Sequence, residues 1–182
     1  KIALTVERDI AANFTAGVGT SYRDRKYDEN VNSDAEIFSI GPFIDWKITE
    51  VIGLYVGVAW NDASYDGGAV ANSDPFSDES SYEDFTGTAR LSHVLNEVFN
   101  HQVELYRALA DSDTSSYDEI EGIRYGASYT INSRVRLEGD VAYEDVESSG
   151  GILNDDYERW NTGIATELVL GPRLNCRIGY RY

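Results

Sequence analysis

The sequence predicts an all-β fold, an antiparallel up-and-down transmembrane β-barrel formed by residues 1–182 as a single domain. Three observations favour it: apolar and polar residues alternate along ten segments, tight turns alternate with long acidic connections, and aromatic residues gather at the ends of the apolar faces. In the run from Arg134 to Glu144, Leu137 and Val141 fall on one face and charged residues on the other, because strand side chains alternate in direction.

The composition is compatible with this fold. The chain has 182 residues, 42% of them hydrophobic, and a mean hydropathy of -0.39 that resembles a soluble protein. A transmembrane helix needs an apolar run of about 18 residues or more, and the sequence contains none. A membrane barrel needs only alternating segments of about 9 to 11 residues, which average out in the hydropathy.

The first five strands are predicted at 2–6, 14–23, 38–47, 54–61 and 84–92. Each carries apolar or aromatic residues at most alternate positions, with glycine and polar residues between them. Pro42 interrupts the third strand, and because proline lacks a ladder donor it predicts a bulge or an edge there.

The last five strands are predicted at 99–108, 122–131, 134–144, 159–168 and 173–182. The strand at 99–108 has the weakest alternation, whereas Asn132 and Ser133 form a tight turn between the two strongest. The final strand places Cys176 on its apolar face, where a thiol behaves as a small hydrophobic group.

The connections are sorted by length. Tight turns are predicted around 48–51, 95–97, 132–133 and 171–172, and long acidic loops at 24–35, 62–83, 109–119 and 146–157. All the long loops therefore lie at one end of the sheet, as in outer-membrane barrels with short periplasmic turns. A Greek-key sandwich would mix the two kinds.

Aromatic residues are predicted to form two interfacial girdles against the membrane. The girdle near the long loops comprises Tyr22, Phe38, Trp60, Phe85, Tyr143 and Trp160, and that near the turns comprises Phe14, Trp46, Phe99 and Tyr129. The alternative is a soluble up-and-down barrel of the lipocalin type with these aromatics in its core. The opposite face is dense in glycine, which suits a crowded interior and favours the membrane barrel.

The charged residues of the opposite face are predicted to line the lumen. They are Arg90, Glu104, Arg124, Arg136, Glu138, Asp140, Arg159, Glu167, Arg177 and Arg181. Opposite charges on neighbouring strands pair, so an ion-paired wall is favoured over a selective ion path. The number of strands decides between the two, because a wider barrel leaves water in the lumen.

Several classes of function are disfavoured. A net charge of -17 argues against nucleic acid as a partner. No nucleophile and base stand together, so an enzyme is not expected, and no cofactor is predicted. His93 and His101 lie near a tight turn on the outward face; they could bind a metal across one hairpin, but interfacial side chains are favoured. The acidic loops lack the spacing of an EF-hand and favour a solvated cell surface.

Four segments resemble the outer-membrane β-barrel porins of Gram-negative bacteria. They are Thr88 to Asn96, Tyr125 to Asn132, Asp155 to Trp160, and the closing Gly-Tyr-Arg-Tyr at 179–182. The resemblance implies a further polar loop and a last strand that ends in an aromatic residue. The turn order also places both chain ends beside the long loops, so a native barrel of about 12 or more strands is expected. A ten-stranded barrel that closes on itself is the alternative. The lack of a leader or of any methionine suggests a processed or trimmed chain.

These features predict a porin-like passive diffusion channel in the bacterial outer membrane, with an ion-paired lumen and long acidic extracellular loops. The alternative is a non-conducting structural or adhesive barrel that displays those loops. The expected partners are outer-membrane lipid, lipopolysaccharide, and small solutes or ions. The sequence does not indicate an oligomeric state.

Overall fold

Ten antiparallel strands form one sheet in the order in which they occur along the chain. The computed structural model describes residues 1–26, 34–66, 81–111, 117–148, 156–171 and 174–182. The strands are β1 Ile2–Ala11, β2 Phe14–Arg25, β3 Asp34–Lys47, β4 Ile52–Asp66, β5 Ser81–Val94, β6 Phe99–Asp111, β7 Tyr117–Asn132, β8 Val135–Ser148, β9 Tyr157–Gly171 and β10 Leu174–Arg181. Each strand pairs with its neighbour in sequence, which confirms the predicted all-β, up-and-down architecture. Over the described ranges β1 and β10 form the two edges of the sheet.

No helix among the described residues is long and apolar enough to cross a membrane.

The strands are longer than the alternation predicted, mainly at the end where the long connections lie. Residues 62–66 and 81–83, predicted as loop, belong to β4 and β5, and the predicted loops at 24–35, 109–119 and 146–157 are likewise shortened from both sides. The reason is that polar residues continue a ladder as readily as apolar ones once the strand has left an apolar environment. The remaining parts of these loops, including the acidic clusters at 74–80 and 112–113, lie outside the described residues.

The short connections all lie at the opposite end, as predicted. Asn13 and Lys47 exchange hydrogen bonds there, since the Lys47 amide donates to the Asn13 carbonyl at 2.8 Å and the Asn13 side chain donates to the Lys47 carbonyl at 3.1 Å. In the turn after β5, the Asn96 side chain accepts from the amides of Val98 and Phe99 at 3.0 and 2.8 Å. The predicted turn at Gly171 and Pro172 falls partly outside the described residues.

Exposure of the two faces of the sheet is the reverse of that in a soluble protein. Large apolar side chains face outward into open space, with Trp160 65% and Ile178 64% exposed, whereas Asn61 and Glu144 are 5% and 4% exposed. We call the side of Trp160 and Ile178 the apolar face and the side of Asn61 and Glu144 the charged face. A large apolar surface is unfavourable in water, so this arrangement is typical of a sheet whose exterior contacts lipid.

Pro42 forms neither a bulge nor an edge, which corrects the prediction for the third strand. β3 lies between β2 and β4, and the β2 register runs unshifted through the pair Val18 and Pro42. The β4 register is the same on both sides of Pro42, but the ladder is interrupted at Gly41 and Pro42. A Cβ on Gly41 would collide with the backbone of Val58, so the glycine allows β4 to approach closely beside the proline.

Glycines on the charged face make room for aromatic rings. A Cβ on Gly122 would lie 2.7 Å from the ring of Tyr106, its cross-strand neighbour, and a Cβ on Gly17 would lie 2.6 Å from the ring of Phe43. The rings therefore lie flat over the glycines and cover the backbone there, an arrangement known as aromatic rescue of glycine. The glycine-rich face is consequently a close-packed one.

A small apolar core lies beyond the outer aromatic residues, at the end of the long connections. It consists of Ala35, Ala63, Tyr65 and Tyr82, with Ile37, Leu109 and Tyr117 packed against it. Tyr117 stacks on Tyr65 at a centroid distance of 5.4 Å and meets Tyr82 edge-on at 5.1 Å. Burial raises the pKa of Tyr82 to about 12, so this hydroxyl stays neutral.

Replacement of Gly122 by valine tests the ring-over-glycine packing. We expect Gly122→Val to lower the free energy of unfolding by about 1–3 kcal/mol, because the new side chain displaces the Tyr106 ring. Gly19→Val is the matched control, since no described atom lies within 4 Å of a Cβ there. Urea unfolding followed by tryptophan fluorescence measures both. Equal losses in the two variants would contradict the packing.

Candidate functional site

The backbone ladder between β5 and β6 stops halfway along the strands. The two pair from Gly87 and Arg107 to Val94 and Asn100. Beyond Gly87, residues 81–86 of β5 still pair with β4, and residues 108–111 of β6 still pair with β7. All of these residues are described, so the sheet is split between β5 and β6 on the side of the long connections. We call this opening the split.

The ends of β6 and β7 turn over the charged face where the split begins. By alternation Arg107 and Leu109 belong to the apolar face with Leu105, yet Leu109 packs against the core that includes Tyr82 and Ala63, both on the charged face. A contact between opposite faces is possible only if the β6–β7 end bends across the charged face of β3–β5. The split therefore lies between β5, which stays in the plane of the sheet, and β6, whose end bends across the charged face.

A groove runs between the charged face of β1–β5 and the leaning end of β6. Its volume is ≈ 510 Å³, and the β6 side is formed by Arg107, Ala108 and Leu109. Three polar side chains of its floor bond to each other: the Ser39 hydroxyl donates to Asn61 at 2.7 Å, and the Asn61 amide donates to Thr86 at 2.9 Å. Polar groups that are already paired compete little for a solute, which leaves apolar contact available at this part of the groove.

A second, open cavity of ≈ 420 Å³ lies where the β5–β6 ladder ends, beside the split. Its lining includes Val56 and Leu105 from the apolar face as well as Tyr106 and Gly122 from the charged face. The two cavities share five lining residues: Gly57, Val58, Gly87, Thr88 and Arg107. The groove and the apolar face are thus adjacent where the β5–β6 ladder ends, on opposite sides of the sheet.

Side chains bridge the split where the backbone ladder does not. Arg107 on β6 donates to Asp84 on β5 at 2.7 Å, and it also pairs with Glu119 and, at 3.5 Å, with Glu121. Tyr82 and Tyr117 make the second bridging contact through their rings. An ion pair of partly exposed groups contributes little stability. These side-chain contacts therefore hold β5 and β6 together less firmly than a backbone ladder would.

The charged residues form a network across β5 to β10. Arg90 pairs with Glu104 at 2.6 Å, and Arg124 lies 4.0 Å from Glu104 and 3.8 Å from Glu144, which pairs with Arg159 at 2.6 Å. Nearer the turns the pairs are Arg136 with Glu138 at 3.5 Å, Arg177 with Glu138 at 2.7 Å, and Arg181 with Asp140 at 3.5 Å. Glu167 stands opposite Arg136 and Arg177 in the ladders. The predicted lumen residues thus share one face, and positive and negative groups alternate along it.

Glu144 is the most enclosed member of the network. Its carboxylate accepts hydrogen bonds from Tyr106, from Arg159 at 2.6 Å and from Asn161 at 2.7 Å. Arg124 lies above the Tyr106 ring at 5.1 Å from its centroid. One buried carboxylate therefore joins strands β6 to β9 through charge-assisted bonds.

The ten predicted girdle residues stand directly opposite one another in five cross-strand pairs. They are Tyr22 with Phe38, Trp60 with Phe85, Tyr143 with Trp160, Phe14 with Trp46, and Phe99 with Tyr129. The first three pairs lie towards the long connections and the last two towards the turns. We call these the outer row and the turn-side row.

Sequence reasoning missed Glu144, Arg107, Asp84 and Glu119 as members of these sites. Glu144 is the last residue of the strongly alternating run at 134–144 and lies on its charged side, and this position could have identified it as a member of the network. Arg107 and Glu119 fall on the apolar side by alternation, and charges at such positions mark where a strand leaves an apolar environment. The split has no local sequence signature, since alternation reports one strand at a time.

No family model and no curated protein matches the sequence. Among solved structures, the crystal structure of a FadL homologue from Pseudomonas aeruginosa is similar with a TM-score of 0.58 and 11% identity, over 98% of this chain and 59% of that one. The toluene transporter TodX of Pseudomonas putida is similar with a TM-score of 0.54 and 12% identity, over 99% of this chain and 67% of that one. The first likeness covers less than two thirds of the other chain. The fold of this chain is therefore that of an antiparallel up-and-down transmembrane β-barrel, and the resemblance to porins in particular is not confirmed.

Removal of the Glu144 side chain tests whether this carboxylate joins the four strands. Glu144→Ala leaves Arg124 and Arg159 without their shared partner, and we expect the free energy of unfolding to fall by about 3–5 kcal/mol. Glu144→Gln keeps the size and one of the two acceptor oxygens, so a smaller loss is expected. Glu138→Ala, which removes a more exposed pair, should cost about 1 kcal/mol or less. Urea unfolding measures all three, and a cost for Glu144→Ala no larger than for Glu138→Ala would refute the role.

Proposed function

We propose that this chain forms part of a bacterial outer-membrane β-barrel that passes small apolar solutes from its interior through its wall into the lipid. The observation that carries the proposal is the contiguity of the groove, the split and the apolar face. The groove and the cavity at the split have volumes of ≈ 510 and ≈ 420 Å³. Sites for small molecules usually have volumes of about 300–1,000 Å³.

The location in the outer membrane is supported by the two aromatic rows. On β2 and β3 the members of the two rows, Phe14 and Tyr22, and Trp46 and Phe38, are eight positions apart. At about 3.3 Å per residue this separation is roughly 26 Å along the strand, or about 20 Å along the membrane normal for strands tilted by about 40°. The apolar band of outer-membrane barrels is about 25 Å tall. Outer-membrane lipid and lipopolysaccharide would contact the apolar face, and the long acidic connections would face the cell exterior.

The chemistry of the groove favours an apolar solute. Arg107 is neutralised by Asp84 and Glu119, and the hydroxyl and amide groups of the floor bond to each other. A polar solute would have to break these bonds, whereas an apolar one would only displace water. A solute that leaves through the split meets Val56, Val58 and Leu105, and then the lipid, without returning to water. The toluene transporter TodX has the same fold, which agrees with this class of solute.

The second candidate is a porin-like passive channel for ions and small polar solutes. The charged face favours it, because six arginines and several carboxylates would line a wide lumen. The ion pairs among them weigh against strong ion selectivity, since the electric fields of two paired charges largely cancel at the position of a passing ion. A barrel that only displays its acidic connections would neither conduct nor transport.

Opposite changes at the split test the transport proposal. Thr88→Trp fills the boundary between the two cavities, and Asp84→Asn removes the ion pair across the split. In cells that lack other hydrocarbon transporters, we expect naphthalene uptake to fall to the background level for Thr88→Trp and to rise for Asp84→Asn. Thr130→Trp on β7, which lies on the same charged face as Thr88 and lines neither cavity, is the matched control and should behave as the native protein. Unchanged uptake in Thr88→Trp, at equal surface abundance, would overturn the proposal.

Conductance in planar bilayers distinguishes the second candidate. We expect the folded barrel to give little steady ion current, because its charged face is ion-paired and the β6–β7 end leans over the groove. Large stable conductance steps, altered in ion preference by Glu138→Gln or Arg177→Gln, would instead favour the porin-like channel. Heat-dependent migration in detergent gels would verify that each sample is folded.

A further inference from the structure

Two histidines face each other at the turn end of the β5–β6 hairpin. His93 and His101 are directly opposite in the ladder, and Nδ1 of His93 lies 3.1 Å from Nε2 of His101. Their rings meet edge-on, with a centroid distance of 5.2 Å and an interplanar angle of 67°. In this state one nitrogen donates its proton to the other, so a single proton holds the pair together.

The surroundings fix His101 more than His93. The His101 ring stacks on Phe99 at a centroid distance of 5.7 Å and touches Tyr125 at 5.8 Å. Its Nδ1 atom is buried and forms no hydrogen bond to any described group. No neighbour among those residues therefore forces the proton onto Nε2, and this nitrogen is able to act as a lone-pair donor.

The separation of the two nitrogens suits a shared metal ion. Imidazole nitrogens bind Zn²⁺ at about 2.0–2.1 Å, so two ligands at 90–110° around one ion are about 2.8–3.4 Å apart. The observed 3.1 Å lies within this range. The rings need only rotate to direct both lone pairs at the ion, and the strands need not separate.

We propose that His93 and His101 chelate one divalent cation of borderline softness, Zn²⁺, Cu²⁺ or Ni²⁺, in place of their shared proton. Imidazole selects these ions over Ca²⁺ and Mg²⁺. No group of three or more His, Cys, Asp or Glu side chains in the described ranges is arranged for a metal, so water completes the coordination. The site is therefore an exchangeable clip and not a closed structural centre.

The position of the clip gives it a structural consequence. The β5–β6 ladder ends at Gly87, and the histidine pair lies at the other end of it, beside the turn. A metal bound there ties the two strands together where the ladder is intact and opposes separation from the turn side. The inference does not depend on which solute the barrel carries.

Copper binding to the untagged, folded protein in detergent tests the site. The chain contains 2 histidines, so a signal from two coordinated imidazoles in one monomer identifies this pair. Pulsed electron paramagnetic resonance of the Cu²⁺ complex should report two imidazoles in the native protein and one in His93→Gln or His101→Gln. Each substitution should weaken Cu²⁺ binding by roughly 100-fold, because the second bond of a chelate forms intramolecularly. A Cys176→Ser background removes thiol oxidation from all samples.

One imidazole in the native protein, or equal Cu²⁺ affinity in the double variant, would overturn the proposal. A measurement on the unsubstituted chain guards against variants that misfold. We expect Zn²⁺ to slow hydrogen exchange of amides at 93–101 and to leave those of the β7–β8 turn at 131–135 unchanged. Equal protection of both turns, or of neither, would also exclude the clip.

Discussion

The backbone ladder is the constraint on which the rest of this structure depends. In lipid no water satisfies an exposed amide or carbonyl, so every strand of a membrane sheet must pair on both sides. From β1 to β5 and from β6 to β9 the ladders run along nearly the whole length of the strands, whereas β5 and β6 pair over only about half of theirs. Where the ladder is interrupted, the β6–β7 end bends over the charged face, and the Asp84–Arg107 pair joins β5 to β6 in place of backbone hydrogen bonds. The solute path that we propose follows this interruption of the ladder.

The reversed faces follow from the same constraint. When the exterior is apolar, charges must be inside, and there each is stable only beside an opposite charge. Glu144 illustrates this, since three donors from neighbouring strands surround one carboxylate. The glycines contribute by keeping the wall thin enough for Tyr106 and Phe43 to lie flat against it. Packing and charge pairing on this face are therefore two parts of one arrangement.

Much of the fold was accessible from the sequence, because alternation with a period of two assigns faces without any knowledge of neighbours. It correctly gave ten strands, the sorted connections, and which aromatic and charged residues share a face. It failed where the answer depends on pairing between strands. Strand ends were placed too early since polar residues such as Asp62 continue the ladder, and Pro42 was expected to distort a register that Gly41 in fact preserves. The split and the buried position of Glu144 depend on three or more strands at once, which a single segment cannot specify.

The outer aromatic row is interrupted on the two strands that follow the split. Its six members come from β2, β3, β4, β5, β8 and β9, so neither β6 nor β7 supplies an aromatic side chain to the apolar face at that height. Leu105 and Ile123 stand beside Tyr143 in the ladders instead, and the next residues outward on that side are Arg107 and Glu121. Aromatic side chains hold strands at the membrane interface, and Leu105 and Ile123 do not provide this anchor. Among β2 to β9, the two strands without these anchors are the ones whose ends turn inward. The ladder breaks at one of their two boundaries with anchored strands, that between β5 and β6, and stays intact between β7 and β8.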